Sequence, residues 1–322
     1  MTQIQLSVVG PEESGLLHDL VRRSENGDQL PVVTSRAEVE EWLVGADVER
    51  DRDLCIARSA GEPVGWGRVL HSPSGHALER AYLFGGVVPE ARRRGVGDEI
   101  MRWSLERATE LLERYDHDPP RYIRVDLYDW IVDGHALCRA HGLEPVRWFD
   151  EMLRPLGDLP QVDPPEGVRI GPWDADRAEE ARQVRNDSFA DHWGTSTISP
   201  AVWEEWLSGH GARPDVSVMA FAGDELVGIS VNEHYPDDET VTGRRDGWIQ
   251  SIGVLRSWRG RGIASALISR SLAAFAAAGF SHAMLGVDTD SPSGAPRLYR
   301  RLGFETIHRS VTFEREVTRS DG

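Results

Sequence analysis

Three stretches of this sequence occur twice, in the same order, roughly 160 positions apart. "DLCIARSAGEPVGWG" (53–67) matches "DVSVMAFAGDELVGIS" (215–230), and "YLFGGVVPEARRRGVGDEI" (82–100) matches "IQSIGVLRSWRGRGIASAL" (249–267). "LCRAHGLEPVRWFDEM" (137–152) matches "LYRRLGFETIHRSVTF" (298–313). So long a period is not that of a solenoid or propeller but of a whole duplicated domain. The 322 residues suffice for two domains of ordinary size. Between the copies, "RPLGDLPQVDPPEGVRI" holds four prolines and two glycines, a composition that continues neither a helix nor a central strand. The expected organisation is one domain over 1–158, a proline-rich linker over 159–167 and a second domain over 168–322.

Each half reads as a helical N-terminal part, two or three antiparallel strands, a strand–turn–helix unit, another strand, a short helix and a last strand. In the second half, "IASALISRSLAAFAAAG" places Ala264, Leu267, Ile268, Leu272 and Phe275 near helical spacing and ends on Gly279. "HAMLGVD" after it is a buried strand by length and branching. The fold class is therefore α/β, an α+β mixed sheet, built twice.

Composition narrows the function by exclusion. A formal charge of −17 opposes a general nucleic-acid binder, which needs a basic face, and favours a neutral or cationic partner. All 36 basic residues are arginine, a bias expected of a GC-rich, actinobacterial genome. Cys55 and Cys138 form no CxxC or Cys/His cluster, so neither a disulfide framework nor a metal site is expected. No stretch reaches the ~20 apolar residues of a membrane span, and the N-terminus lacks the pattern of a secretory leader. A cytoplasmic protein that neither spans nor binds a membrane is expected.

The segment with chemistry in it is "LRSWRGRG" (255–262), between the strand "WIQSIGV" and the helix "IASALISRSL". The first N–H groups of a helix lack internal partners and sit at the positive end of its dipole. Gly260 and Gly262 remove the Cβ atoms that would keep a diphosphate from those amides, and Arg259 and Arg261 can add charge at the mouth. A Walker A loop needs a lysine, which the chain lacks. A dinucleotide-binding loop would start directly at the strand end and carry a third glycine; here five residues follow Val254 and Ser265 holds that place. A dinucleotide site stays open as a less apt reading.

"RGRGIA" (259–264) resembles the Arg/Gln-x-x-Gly-x-Gly/Ala pyrophosphate loop of the GNAT acetyltransferase superfamily. "VDTDSPSGAPRLYRRLGFE" (287–305) resembles the segment that closes that family's cofactor groove. The first half repeats both with "RRRGVG" (92–97) and "LCRAHGLE" (137–144). The likeness covers most of the chain and is similar to the tandem, mycothiol synthase-like branch of the family. It implies two GNAT domains, acetyl-CoA as cofactor and direct transfer to a small-molecule amine in a ternary complex.

The resemblance further implies that strand 248–254 splays from its neighbour at a bulge. Backbone groups of Ile252, Gly253 and Val254 would hold the pantetheine arm, and amides of Arg259, Gly260, Arg261, Gly262, Ile263 and Ala264 the diphosphate. In the first half, Val87, Arg92, Arg94, Gly95 and Gly97 match the cofactor positions. Tyr299 matches the tyrosine that protonates the departing thiolate, a role suited to a phenol of pKa near 10; Cys138 stands in its place in the first half, which implies lost catalysis there. A base is needed because an amine of pKa ~10 is about one part in a thousand neutral at pH 7. Glu233 is the candidate, with His234 and Asp246 as alternatives.

Segment 185–206 would build the acceptor pocket, with His192 and Trp193 as contacts, while Phe189, Trp203 and Trp206 read as core. Ser291, where the family often has Asn, and Pro296, inside the helix that carries Tyr299, depart from the pattern. A non-catalytic CoA-binding or scaffolding protein is the alternative function. The oligomeric state stays open, and two fused domains make a monomer sufficient.

Overall fold

The computed structural model describes residues 3–44, 49–71, 78–114, 119–195, 197–291 and 293–318. The first half contributes β1 (Ile4–Val8), α1 (Ser14–Asp28), α2 (Arg36–Trp42), α3 (Arg50–Asp53), β2 (Leu54–Ser59), β3 (Glu62–His71) and β4 (Glu79–Val87). It continues with α4 (Val96–Glu113), β5 (Arg121–Tyr128), α5 (Val132–Ala140) and β6 (Glu144–Pro155). The second half contributes β7 (Val168–Pro172), α6 (Ala178–Phe189), α7 (Pro200–Ser208), β8 (Val218–Ala222), β9 (Glu225–Glu233) and α8 (Glu239–Thr242). After these come β10 (Asp246–Val254), α9 (Ile263–Ala277), β11 (His282–Asp288), α10 (Ala295–Arg301) and β12 (Glu305–Glu316). The duplicated mixed α/β pattern expected from the sequence is present.

The chain forms two compact units, and they do not follow its two halves. One comprises Met1–Arg147, Thr240–Thr242 and Val311–Gly322, the other Trp148–Glu239 and Gly243–Ser310. The last strand of each half finishes in the unit of the other half. From Phe149 onward β6 pairs antiparallel with β11, Phe149 opposite Asp288 through Pro155 opposite His282. From Val311 onward β12 belongs to the first unit, where the N–H of Val317 bonds the carbonyl of Arg121. The expected boundary at 158–168 therefore separates the repeats of the sequence and not the folded units. The physical reason is that duplicated sheets offer equivalent edges, so a terminal strand can satisfy its backbone on either one.

Strand order is β1-β2-β3-β4-β5-β12 in the first unit and β6-β11-β10-β9-β8-β7 in the second. β4 with β5 and β10 with β11 are parallel. α9 buries Leu267, Ile268, Leu272 and Phe275 of the face its spacing predicts, and Ile263 with them, while Ala264 is half-buried. Ile268, Leu272 and Phe275 join Ile249, Leu285, Val287 and Phe304 in one core. Each such side chain fully buried contributes about 1.5–3 kcal/mol. Gly279, at φ +79°, ends the segment as expected. No helix among the described residues is long and apolar enough to cross a membrane.

Candidate active site

β10 and β11 part company. Their ladder covers only Asp246–Trp248 opposite His282–Met284, although β10 runs on to Val254 and β11 to Asp288. Beyond Trp248 the edge of β10 that faces β11 has no ladder partner from it. On its other side β10 stays paired with β9 as far as Val254 opposite Gly228, with a register shift between Ile249 and Ser251. A bulge of this kind bends the strand and re-aims its backbone groups. Gly253 lets α6 lie directly over this strand: a Cβ there would stand 2.2 Å from the Ser188 hydroxyl oxygen.

At the outer end of the opening the chain turns through Arg256–Trp258 into α9. Gly260 and Gly262 adopt φ +76° and +87°, and a Cβ at either would meet nothing within 4 Å. That conformation admits glycine readily and other residues at a cost of about 1–2 kcal/mol. Gly262 caps α9, whose first turn carries no acidic side chain to offset the positive helix end.

Arg259 differs from its expected place at the mouth. Its guanidinium donates to the carbonyls of Val254 (3.3 Å) and Ser188 (2.7 Å) and to the Asp191 carboxylate (2.6 and 3.0 Å). It is a strut that fastens the loop to the strand end and to the end of α6, and it holds the Asp191 carboxyl below the usual carboxylate range. The first unit builds the same strut: Arg92 donates to the carbonyls of Val87 (3.0 Å) and Ser24 (3.4 Å) and pairs with Asp28 at 2.8 Å. Arg261 lies over the Trp258 ring, 4.6 Å from its centroid, and is exposed.

Glu233 ends β9 directly opposite Trp248, where the two parallel strands separate. It is buried, accepts a 2.8 Å hydrogen bond from the Tyr235 hydroxyl, and burial pushes its carboxyl up to about 7. The alternative bases are engaged elsewhere. The Nδ1 of His234 meets the Asp246 carbonyl oxygen at 2.9 Å, and its ring stands edge-on to Phe280. Asp246 accepts from Nε and Nη2 of Arg244 at 3.1 and 2.8 Å.

Tyr299 is buried on α10 in the same core as Ile249 and Leu285. Burial pushes the phenol up to about 12. The hydroxyl oxygen is not one of the buried polar atoms left without a partner, and the phenol holds its proton at neutral pH. Pro296 sits in the first turn of α10, where a missing N–H does no harm, so this departure leaves Tyr299 on the helix.

The two units provide an internal comparison. Gly65 opposite Val87 corresponds to Gly228 opposite Val254, which sets Leu70 where the second unit has Glu233. The β3–β4 ladder then runs to His71 opposite Ala81 with no register shift, so the bulge is also missing. Cys138 stands for Tyr299, buried and with its thiol pushed up to about 12. The groove itself persists: β4 and β5 part after Tyr82 opposite Arg124. A cleft of about 480 Å³ remains there, lined by residues that include Val87, Arg92, Gly95, Gly97, Leu137 and Cys138. Arg94 is exposed on the loop, and Asp98 and Glu99 occupy the first turn of α4.

The expected acceptor contacts lie at the other end of the opening. The His192 ring is 4.7 Å from Phe189, burial lowers its pKa, and Asp191, Arg259 and Asp288 are its charged neighbours. Trp193 faces Phe149 at 6.4 Å, and Phe149 pairs with Asp288. Both residues thus gather at the Val254–Asp288 end, beside the glycine loop, and Glu233 marks the opposite end. Trp203 is core, as expected, its indole N–H on the Ala178 carbonyl at 2.9 Å. Ser196 of this segment lies outside the described residues. Sequence reasoning missed Tyr235; the i, i+2 spacing of Glu233 and Tyr235 was the available signal.

The acetyltransferase (GNAT) family model matches residues 19–128 and 178–304. The mycothiol acetyltransferase of Mycolicibacterium vanbaalenii is 30% identical over 241 residues, 70% of this chain and 72% of that protein. That of Thermomonospora curvata is 30% identical over 283 residues, 85% of this chain and 86% of its own. A GCN5-related N-acetyltransferase from Sphaerobacter thermophilus superposes with a TM-score of 0.75 at 25% identity, over 97% of this chain and 95% of that one. A tandem GNAT protein from the clavulanic acid biosynthesis pathway shares the fold, with a TM-score of 0.70 at 17% identity over 99% and 100% of the two chains. With two family matches falling on two copies of the same opened sheet, this chain belongs to the GNAT family of acetyltransferases and carries two of its domains in tandem.

Proposed function

We propose that the second unit transfers an acetyl group from acetyl-CoA directly to the amine of a small molecule, in a ternary complex. The observation that carries this reading is the place of Glu233. It stands where β10 and β11 separate, and the glycine loop follows Val254, about 20 Å further along β10 at ~3.3 Å per residue. Amides of Arg259–Ala264 would hold the diphosphate and backbone groups of Ile252, Gly253 and Val254 the pantetheine arm, with Glu233 toward the far end of the same opening.

Bound there, acetyl-CoA supplies the acyl carbon and a thiolate leaving group. Glu233, with its carboxyl near 7, accepts the proton of the attacking amine as the N–C bond forms. A backbone N–H on the open edge of β10 donates to the carbonyl oxygen as it gains charge. Tyr299 gives its proton to the sulfur as the C–S bond breaks; the proton held by Glu233 then leaves to solvent and the phenolate takes one back from solvent, so both groups return to their starting states.

The curated relatives are mycothiol acetyltransferases, so a mycothiol-type amine is the first acceptor to test, with aminoglycoside-like and peptide-like amines beside it. The non-catalytic reading suits the first unit, where the groove remains without the glutamate, tyrosine or bulge. The test is release of free CoA by wild type and Tyr299→Phe. The variant should lose about 100-fold in kcat with little change in KM for acetyl-CoA, and an unchanged kcat would overturn the assignment. Titration calorimetry with CoA then counts one or two sites per chain.

A further inference from the structure

We propose that Tyr235 is the residue that positions and tunes the base: its hydroxyl fixes one carboxylate oxygen of Glu233 and leaves the other for the acceptor proton. This rests on the reading of Glu233 as the base. The Tyr235 hydroxyl donates to Oε2 of Glu233 at 2.8 Å, which constrains the carboxylate plane and reserves Oε1. Alternation along the extended chain puts residues 233 and 235 on one side and His234 on the other.

The ring is held independently of that bond. Gly211 is buried, and a Cβ there would come within 2.6 Å of the Tyr235 ring and 3.0 Å of its hydroxyl oxygen. The same segment is pinned to the end of β9: the His234 N–H bonds the Gly211 carbonyl at 2.9 Å, and Ala212 bridges to Glu233. The glycine is therefore the space in which the phenol sits. In the first half both partners are replaced together, Leu70 for the glutamate and, by count along the sequence, Ser72 for the tyrosine.

The hydrogen bond opposes burial. Desolvation raises the Glu233 carboxyl and the phenol lowers it, and these two causes account for its shift. Other titratable groups on the surrounding elements are held away. Arg213 chelates Asp215, Asp246 is paired with Arg244, His234 turns to the Asp246 carbonyl and His210 is exposed. Removing the hydroxyl leaves desolvation unopposed, so the carboxylate becomes more basic and its plane loses its anchor.

The test is the pH dependence of kcat/KM for CoA release by wild type, Tyr235→Phe and Gly211→Ala, with melting curves recorded at each pH. Loss of one hydrogen bond to a carboxylate corresponds to about one pH unit, so the acidic limb of Tyr235→Phe should move up by that amount. Activity on the alkaline plateau should stay within a few-fold of wild type. Gly211→Ala, which displaces the ring without removing its hydroxyl, should move the limb the same way. A limb that stays in place in both variants while activity falls evenly at all pH values overturns the proposal and leaves Tyr235 as packing. Glu233→Gln separates this from failure of the underlying reading: titration of the acceptor amine cancels in the ratio of wild type to Glu233→Gln, and if that ratio does not change with pH, Glu233 is not the base.

Discussion

A buried carboxylate should weaken the fold that holds it, and Glu233→Gln measures by how much. The carboxyl is pushed from an ordinary value of 4.5 to about 7 by burial. Each unit of difference between folded and unfolded states is about 1.4 kcal/mol, so the ionised side chain opposes folding by about 3 kcal/mol. Below pH 4.5 the group is protonated in both states and opposes nothing. The penalty grows as pH rises from 4.5 and is complete above pH 7, because only the unfolded chain ionises freely across that window. Glutamine keeps the shape, carries no charge and still accepts the Tyr235 hydrogen bond.

Urea unfolding at pH 8 should therefore show the variant more stable than wild type by about 3 kcal/mol, and at pH 4.5 the two should agree. The same substitution should lower kcat/KM for CoA release by about 100-fold or more on the alkaline plateau. The ratio of wild type to variant should climb tenfold per pH unit below 7 and level off above it, since titration of the acceptor amine is common to both and cancels. A stability difference equal at both pH values, or none at pH 8, would refute the reasoning, because the carboxylate would then not be the strained group.

Gly262→Val places a β-branched residue at φ +87° and hides the amides of α9 behind its methyl groups. Calorimetry should show CoA affinity reduced by tenfold or more, with a stability loss of about 1–3 kcal/mol. The strand exchange gives a prediction about fragments: 168–322, cut at the linker, should aggregate, because it lacks the seven-residue partner of β11 and the fully buried Met152, a side chain whose loss alone is worth about 2–5 kcal/mol. A fragment over 148–310, which follows the compact unit, should be the soluble one in a size-exclusion comparison.

The duplication, the glycine loop and the α9 face were legible because each is a local pattern: a period, two glycines between strand and helix, apolar residues at helical spacing. Tyr299 was legible through its motif, and the structure adds its burial. Arg259 was misread because the chain shows a charge near a loop but not its destination; the Asp191 carboxylate and the Ser188 carbonyl that capture it lie about 70 positions away in sequence. His192 and Trp193 were expected at the acceptor for the same reason. The path of the loop after α6 depends on that strut, and polar residues beside aromatic ones look alike at either end of the opening. The exchange of β6 and β12 left no trace, since both strands carry the pattern that either sheet requires.

On the proposed reading, in which only the second half is catalytic, the exchange also gives the first half a reason to be present. Leu70, Cys138 and an unbulged β3–β4 ladder stand in the first unit where the second has Glu233, Tyr299 and a register shift. Natural selection on turnover alone would not keep it. Yet the wall of the working groove is β11, and the strand that closes its outer edge is β6, encoded by the first half. Along it Asp150 accepts from Arg309 at 2.8 Å, and Arg154 donates to the carbonyls of Leu302 (2.5 Å) and Pro155 (2.8 Å). Arg154 thereby ties β6 to the end of α10, three residues beyond Tyr299. Deleting the first half would remove the strand paired along all seven residues of β11, open an apolar edge and release the helix that carries Tyr299. The second half thus depends on the first through covalent strand supply.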